Sequence, residues 1–343
     1  MSANILFYIT RRAINAVITI IFLVFMIFIM IHIILPNPIG LARLYAPNPR
    51  ITKSALEAIV KQYGLALPWP VQFYNYVVNL LHGNFGTDTQ YHIPEIQVMQ
   101  KFIPITLELV IVGNILGVLI GLYTGAISAA NRNKTIDYGT KAIYLTTWSA
   151  PVFLVGFVVQ LAFAFWLNLL PSSGVVNPAL AAPPATTGVP MIDAVLAGNW
   201  VYLWSVTQHV ILPALTLAVV SFGLVTRISR ASMIDALDRD YVKLAYMKGL
   251  SKRQVVWGTA FRNALIPIIT LVALIFAFSA GGAVIIEDVF FYHGAGWFTV
   301  SAIYNFDYPA IISFTVIIGI CVVAANLMAD LLYAAVDPRV RLT

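Results

Sequence analysis

The stretch from Arg239 to Pro267 is the part of this chain whose residue types and spacing predict a specific interaction. Gly249 stands where a first short helix would end, because glycine readily takes the left-handed conformation that terminates helices. Ser251 and Gln254 follow at the spacing of a capping box, which starts a second helix. Two short helices joined by an ordered turn indicate a docking surface, because a flexible connector would need none of these devices.

Basic residues are concentrated in the same stretch, and their charge has a simpler explanation. Membrane topology alone collects Lys and Arg on the cytoplasmic side, so the charge by itself indicates neither docking nor nucleic-acid binding. The docking prediction depends instead on the turn and on the helix before it. Tyr241 and Leu244 are its predicted anchors, with Lys248 at the rim. Four residues of that helix are predicted to share one face at helical spacing: Tyr241, Leu244, Ala245 and Lys248.

Catalytic motifs are absent from the sequence. It contains no G-x-x-x-x-G-K-[ST] phosphate loop, so nothing indicates that the chain itself holds ATP. It also has no H-E-x-x-H zinc motif and no G-x-S-x-G nucleophile elbow. None of the five histidines has metal-ligand spacing, and the single cysteine, Cys321, lies in an apolar segment. We therefore expect a chain that is not an enzyme, with no catalytic residue, no cofactor of its own and no metal site.

Composition indicates a membrane protein. Hydrophobic residues make up 60% of the chain and charged residues only 10%, and the mean hydropathy is +0.87. A membrane-spanning helix needs about 20 apolar residues, and five segments meet that length, with Val210–Val225 as a shorter sixth. We predict an all-α membrane protein with six transmembrane helices. The five long segments are Ala13–Leu35, Ile103–Ala130, Ala142–Leu170, Leu265–Ile286 and Ala310–Val336.

The distribution of basic residues gives the predicted orientation. If the N-terminus is cytoplasmic, all but five of the 20 Lys and Arg residues fall in cytoplasmic segments, as the positive-inside rule requires. Both termini are then cytoplasmic. The five exceptions lie in the first external segment: Arg43, Arg50, Lys53, Lys61 and Lys101.

The same topology divides the chain into three parts. Residues 1–35 form the cytoplasmic N-terminus and the first transmembrane helix, and residues 36–102 are expected to fold as a small external cap. Residues 103–343 form the core with helices two to six, including the cytoplasmic loop 227–264. A second external stretch, Pro171–Gln208, is rich in Pro, Ala, Gly and Thr and is predicted to be an irregular loop.

One acid stands inside a predicted span. Asp330 lies near the cytoplasmic end of the last apolar segment, and an acid within a membrane helix is usually paired or functional. Pairing with a basic residue at the inner face, such as Arg262, explains Asp330 more simply than proton transport does.

The docking stretch resembles a known family of transport proteins. DYVKLAYMKGL, starting at Asp240, and FRNALIP, starting at Phe261, are similar to the cytoplasmic loop of ABC-importer permeases of the oligopeptide, dipeptide and nickel branch. The general pattern of those permeases runs Glu-Ala-Ala, three residues, Gly, and Lys243 and Leu244 depart from its first two letters. The resemblance implies that this loop receives ATPase subunits. The residues implied are Asp240, Tyr241, Leu244, Ala245, Lys248, Gly249, Leu250 and Ser251.

A second part of the resemblance lies nearer the C-terminus. The segment Val284–Ile311 is similar to the VE-x-x-F…G-x-G…A-I…DYP segment of the same permeases. Its two glycines, acids and aromatic residues fit either the lip of the substrate access path or a re-entrant support, and both interpretations stay open. The candidate residues are Glu287, Phe290, Gly294, Gly296 and Asp307.

The resemblance implies a type I ABC-importer permease in the cell membrane of a prokaryote. Its expected partners are a second related permease, two ATPase subunits that bind ATP and Mg²⁺, and an external substrate-binding protein. Whether the second permease is a paralogue or another copy of this chain stays open. The implied substrates are oligopeptides or dipeptides, with oligosaccharides or nickel as alternatives within the same architecture.

An ion-coupled secondary transporter is the alternative from a different class. Such a protein needs ionisable groups near the bilayer midplane and often has paired broken helices. Asp330 is the single candidate for such a group, and it is not central in its segment. The importer interpretation is therefore preferred.

Overall fold

The computed structural model describes residues 2–46, 51–305 and 307–336. All regular structure within these ranges is helical, apart from one isolated antiparallel bridge between Thr87 and Pro94. Two short π-helical turns, Leu161–Trp166 and Val255–Ala260, follow α7 and α11. The helices in chain order are α1 (Ser2–Ile34), α2 (Pro38–Leu44), α3 (Lys53–Tyr63), α4 (Trp69–Leu81), α5 (Glu95–Ala130), α6 (Thr135–Ser149), α7 (Val152–Gln160), α8 (Pro190–Leu196), α9 (Trp200–Leu237), α10 (Asp240–Met247), α11 (Lys252–Gln254), α12 (Phe261–Val289), α13 (Ala295–Tyr304) and α14 (Tyr308–Val336).

Four helices, α1, α5, α9 and α14, are each long and apolar enough to cross a membrane. Two bent pairs also have the length and composition of a span, which gives up to six. One pair joins α6 to α7 with its π-helical turn, and the other runs from α11 into α12. The chain is therefore an all-helical, multi-pass membrane protein with four to six candidate spans among the described residues.

The third predicted span is not the single continuous helix that its apolar run predicts. The chain bends by 107° between α6 and α7. Pro151 explains the break, because proline has no backbone N–H and disfavours helical geometry at the residue before it. Ala150 accordingly has extended backbone angles, with φ −78° and ψ 132°.

The predicted irregular loop Pro171–Gln208 is wrong in its second half. Helix α8 begins with Pro190 at its first position, where a missing N–H costs nothing. Helix α9 then begins at Trp200, where the side chain of Asn199 accepts a hydrogen bond from the N–H of Tyr202 at 3.1 Å. This cap extends α9 well beyond the short apolar segment Val210–Val225.

Close packing of α5 against α9 forms the centre of the fold, and glycines make it possible. A Cβ added to Gly121 would lie 2.7 Å from Cβ of Val225, and one added to Gly125 would lie 2.6 Å from Cβ of Ser229. Small residues at four-residue spacing allow membrane helices to approach this closely. Four glycines of α5 follow that repeat: Gly113, Gly117, Gly121 and Gly125.

The segment between α1 and α5 folds onto the membrane helices. Helix α4 packs its aromatic residues against α1 and α14, in a cluster around Val24, Ile312 and Val316. The side-chain oxygen of buried Gln72 in α4 accepts a hydrogen bond from Nε2 of His32 in α1 at 2.9 Å. Helix α5 starts at Glu95, so its first turns lie inside the range 36–102 that the sequence predicts as the external cap.

Candidate functional site

The loop between α9 and α12 has the predicted helix–turn–helix form. Helix α10 ends at Met247 with Lys248 as its C-cap, and Gly249 follows with φ +79°, in the left-handed region. The N–H of Leu250 donates to the carbonyl of Ala245 at 3.2 Å, which closes the helix end. Ser251 then accepts from the N–H of Gln254, whose side chain accepts from the N–H of Ser251 at 2.9 Å. The capping box and the turn are both confirmed.

An apolar cluster fixes this loop to the ends of the long helices. Val242 and Ala245 of α10 are 2% and 6% exposed, and they pack with small and aliphatic residues of α5, α9 and α12. The remaining buried members are Ala126, Ala129, Met233, Ala236, Val255, Val256, Ala260 and Ala264. The loop is therefore attached through one face of α10, which leaves its other face free within the described part of the chain.

The burial of Ala245 corrects one detail of the predicted docking face. Helical spacing groups Ala245 with Tyr241, Leu244 and Lys248, but its small side chain faces the chain's own core. Tyr241 and Leu244 are 37% and 51% exposed, and Met247, which the spacing did not include, is 83% exposed. The outer face consists of Tyr241, Leu244, Tyr246, Met247 and Leu250, and we call it the α10 patch.

Charged residues lie on the same exposed side of α10 as the α10 patch. Asp240 pairs with Lys243 at 2.8 Å on the exposed side of the helix. This hydrogen bond and the charge of Lys243 lower the pKa of Asp240, while Asp240 raises the pKa of Lys243 in the same way. Exposed pairs of this kind add little stability. Lys248 and Ser251 are also exposed. The exposed side of α10 therefore carries charged side chains among its apolar ones, a mixture that protein-binding surfaces also show.

A buried ion pair stiffens the base of this loop. The carboxylate of Asp137, at the start of α6, is fully buried and accepts from Nε and Nη2 of Arg230 at 2.6 and 2.9 Å. Lys141 lies 2.9 Å from the same carboxylate, and Ser128 of α5 donates to it at 2.6 Å. Because Arg230 belongs to the last third of α9, this cluster ties α5, α6 and α9 together close to α10.

Four of the five candidate access residues form a compact buried unit. Glu287 of α12 is fully buried, accepts from Oγ1 of Thr106 at 2.5 Å and accepts from the N–H of Trp297 at 2.9 Å. Gly294 and Gly296 lie so close to Glu287 that an added Cβ would be 2.6 and 3.0 Å from its oxygens. Phe290 is buried in the main core cluster. The unit joins α12 and α13 to α5.

The fifth candidate residue, Asp307, makes a different connection. Its buried carboxylate accepts from both the N–H and the hydroxyl of Thr89, at 2.9 and 2.6 Å. It therefore binds the segment before α5 to the turn before α14. None of the five candidate residues presents its side chain on the surface of the described chain.

Asp330 lies in α14, but its side chain is outside the described residues. Arg262, its predicted partner, is exposed at the start of α12. The pairing of these two residues stays a prediction.

Two family models match the chain. The model described as "Binding-protein-dependent transport system inner membrane component" matches residues 117–342. The model described as "Binding-prot-dependent transport system membrane comp, N-term" matches residues 5–96. The chain belongs to this family. It is a permease subunit of a binding-protein-dependent ABC importer, as the docking loop predicts.

Individual relatives agree along nearly the whole chain. The probable D,D-dipeptide transport system permease protein DdpB of Escherichia coli strain K12 is 38% identical over 312 residues, 91% of each chain. The dipeptide transport system permease protein DppB of Alkalihalophilus pseudofirmus is 31% identical over 97% of this chain and 99% of its own. The oligopeptide transport system permease protein AppB of Bacillus subtilis is 32% identical over 85% and 87%.

Three features of the permease were not predicted from its sequence. Met247 is exposed, but it does not belong to the i, i+3, i+4, i+7 set that predicts the docking face. Its position directly before Lys248 is the one sequence signal that points to it. The buried pair of Asp137 and Arg230 joins residues far apart in sequence. The glycine repeat of α5 was readable, because its four-residue period is visible in the printed sequence.

Proposed function

We propose that this permease carries peptides inward across the inner membrane of a prokaryote. The observation that carries the proposal is the match along nearly the whole chain to relatives named as dipeptide and oligopeptide permeases. The ATPase-bearing side is the cytoplasm, which also holds both termini, in agreement with the distribution of basic residues. The assembly contains a second permease, two ATPase subunits with ATP and Mg²⁺, and an external binding protein.

The α10 patch is the proposed docking surface for an ATPase subunit. The proposal is supported by two observations. The patch exposes apolar side chains on an otherwise polar loop, and the opposite face of α10 is packed against the long helices through Val242 and Ala245. Contiguous apolar surface of this kind marks interaction sites. Gly249, Leu250 and Ser251 set the angle between α10 and α11, and Asp240 and Lys248 lie at the rim. Rigid attachment lets a closing ATPase move the helices above as a lever.

Glu287, Phe290, Gly294 and Gly296 are proposed to support the access path rather than to line it. Their burial within one chain favours this choice between the two interpretations left open by the sequence. Asp307 does the same at the neighbouring junction. Substrate would then pass along the face that this permease shares with the second permease.

The docking proposal predicts that apolar contacts dominate ATPase binding. The double substitution Tyr241→Ala with Leu244→Ala is expected to reduce co-purification of the ATPases at least tenfold, because each buried anchor contributes about 2 kcal/mol or more. Lys252→Ala, an exposed charge at the start of α11, serves as the control and is expected to leave assembly unchanged. If Lys252→Ala strips the ATPases while the double variant retains them, binding is electrostatic and the anchors are wrong.

The substrate proposal is tested by uptake into proteoliposomes that contain the full transporter and its binding protein. A labelled dipeptide or oligopeptide is expected to accumulate when ATP is supplied. An excess of unlabelled peptide is expected to abolish the signal, whereas an oligosaccharide or Ni²⁺ leaves it unchanged. Accumulation of Ni²⁺ or an oligosaccharide without peptide transport would contradict the proposal while leaving the importer architecture intact.

A further inference from the structure

Three buried acids meet where the segment before α5 contacts the turn before α14. Asp88, Glu95 and Asp307 are fully buried, and each contributes a carboxylate oxygen to a group in which all three oxygens lie within 4.8 Å of one another. Asp88 and Glu95 are close in sequence, but Asp307 comes from the opposite end of the chain. The cluster therefore joins two separate segments of the fold.

The hydrogen bonds of this cluster leave three oxygens without partners. Oδ1 of Asp88 accepts from the N–H groups of Gln90 and Tyr91, and Asp307 is held by Thr89. Oδ2 of Asp88 and both oxygens of Glu95 have no hydrogen-bond partner among the described residues. Fully buried carboxylates without donors are costly unless something else neutralises them.

Ion pairing does not do so, and the ammonium group of nearby Lys101 lies over the rings of Tyr91 and Phe102 instead. No Lys, Arg or His of the described residues forms an ion pair with any of the three acids. The neighbouring side chains are instead apolar, in a cluster that includes Phe102, Phe298 and Phe314. Carboxylates in such an apolar pocket attract a cation strongly, because water does not screen them.

We propose that Asp88, Glu95 and Asp307 bind a calcium ion that fastens the segment before α5 to the turn before α14. Calcium takes six to eight oxygen ligands at about 2.3–2.6 Å, so ligands on opposite sides of the ion lie about 5 Å apart. The separation of the three carboxylate oxygens is compatible with that size. Magnesium is less suited, because it retains several waters and rarely enters an all-protein cage of carboxylates.

Residue spacing does not predict this site, because Asp307 lies more than 200 residues along the chain from Asp88 and Glu95. Its position on the external side rests on the proposed orientation of the permease. There the ion would stabilise the chain from outside, independently of ATP and of the docking loop.

The test uses the full transporter complex, purified in detergent and stripped of metal with EGTA. Equilibrium binding of ⁴⁵Ca²⁺ is expected to show a saturable site that is lost in Glu95→Gln and in Asp307→Asn. Glu108→Gln, which changes another buried glutamate of α5 with an unpartnered oxygen, is the matched control and keeps the site. Calcium is expected to raise the unfolding midpoint of the wild-type complex by at least about 2 °C, and magnesium to raise it less.

Three results would overturn the proposal. One is the absence of saturable wild-type binding up to about 1 mM, the weak end of the range for extracellular calcium modules. A second is binding that Glu95→Gln and Asp307→Asn both retain. The third is stabilisation by acidic pH with no response to calcium, which would show that protons, and not a metal ion, neutralise the cluster. If a variant fails to assemble, the wild-type comparison of calcium with EGTA still decides.

Discussion

A permease carrying Gly249→Val is expected to insert into the membrane and to lose ATP-driven uptake. Gly249 has φ +79°, and no atom lies within 4 Å of an added Cβ, so valine meets no steric obstacle from neighbours. Its cost is conformational, because a β-branched residue in the left-handed region is strained by about 1–2 kcal/mol or more. Relief of that strain changes the angle between α10 and α11 and moves the α10 patch relative to its support.

Asparagine at the same position is the matched control. Asn adopts the left-handed conformation far more readily than valine, so Gly249→Asn is expected to retain most of the uptake at equal membrane expression. Uptake into proteoliposomes, with the amount of each variant fixed by immunoblot, measures both. Normal uptake by Gly249→Val would show that the geometry of this turn does not matter for coupling.

Removing the buried carboxylate of Asp137 is expected to have the largest effect on stability. In Asp137→Ala, Arg230 and Lys141 lose their shared partner, while Ser128 and the N–H of Asn133 lose their acceptor. Breaking a buried ion pair from one side costs about 3 kcal/mol or more, because the remaining charge stays poorly solvated. The unfolding midpoint of the purified permease is therefore expected to fall by several degrees.

An exposed ion pair on the same side of the fold provides the comparison. Asp238 lies 3.5 Å from Arg132, and both side chains are largely exposed. Asp238→Ala is expected to change the unfolding free energy by less than about 1 kcal/mol, because water and salt already screen the pair. Equal destabilisation by Asp137→Ala and Asp238→Ala would contradict the structural role of the buried cluster.

The docking turn was predictable because its determinants are local. Gly249, Ser251 and Gln254 lie within six residues, and each acts on its own backbone or that of a near neighbour. The burial of Ala245 was not predictable in the same way. Its environment comes from Ala126 and Met233 on other helices, and helical spacing alone does not tell which of two faces will meet them.

Other errors have equally definite causes. The length of an apolar segment does not show whether its helix is broken. The bent α6–α7 pair is therefore predicted as one straight helix from length alone, although Pro151 marks the bend. Composition indicates a loop up to Gln208, although asparagine is a favoured N-cap residue and Asn199 caps the start of α9. The acids near α5 could not be joined to Asp307 from sequence, because the contact depends on how α14 packs against the segment before α5.

Site-specific photocrosslinking from the α10 patch tests the central claim most directly. A photoreactive residue at Met247, which is highly exposed and makes no cluster contact, is expected to form a covalent adduct with an ATPase subunit of the assembled transporter. The same residue at Tyr304, similarly exposed at the end of α13, is expected to form none, because the proposed orientation places that position outside. An ATPase adduct from Tyr304 with none from Met247 would contradict both the docking surface and the orientation.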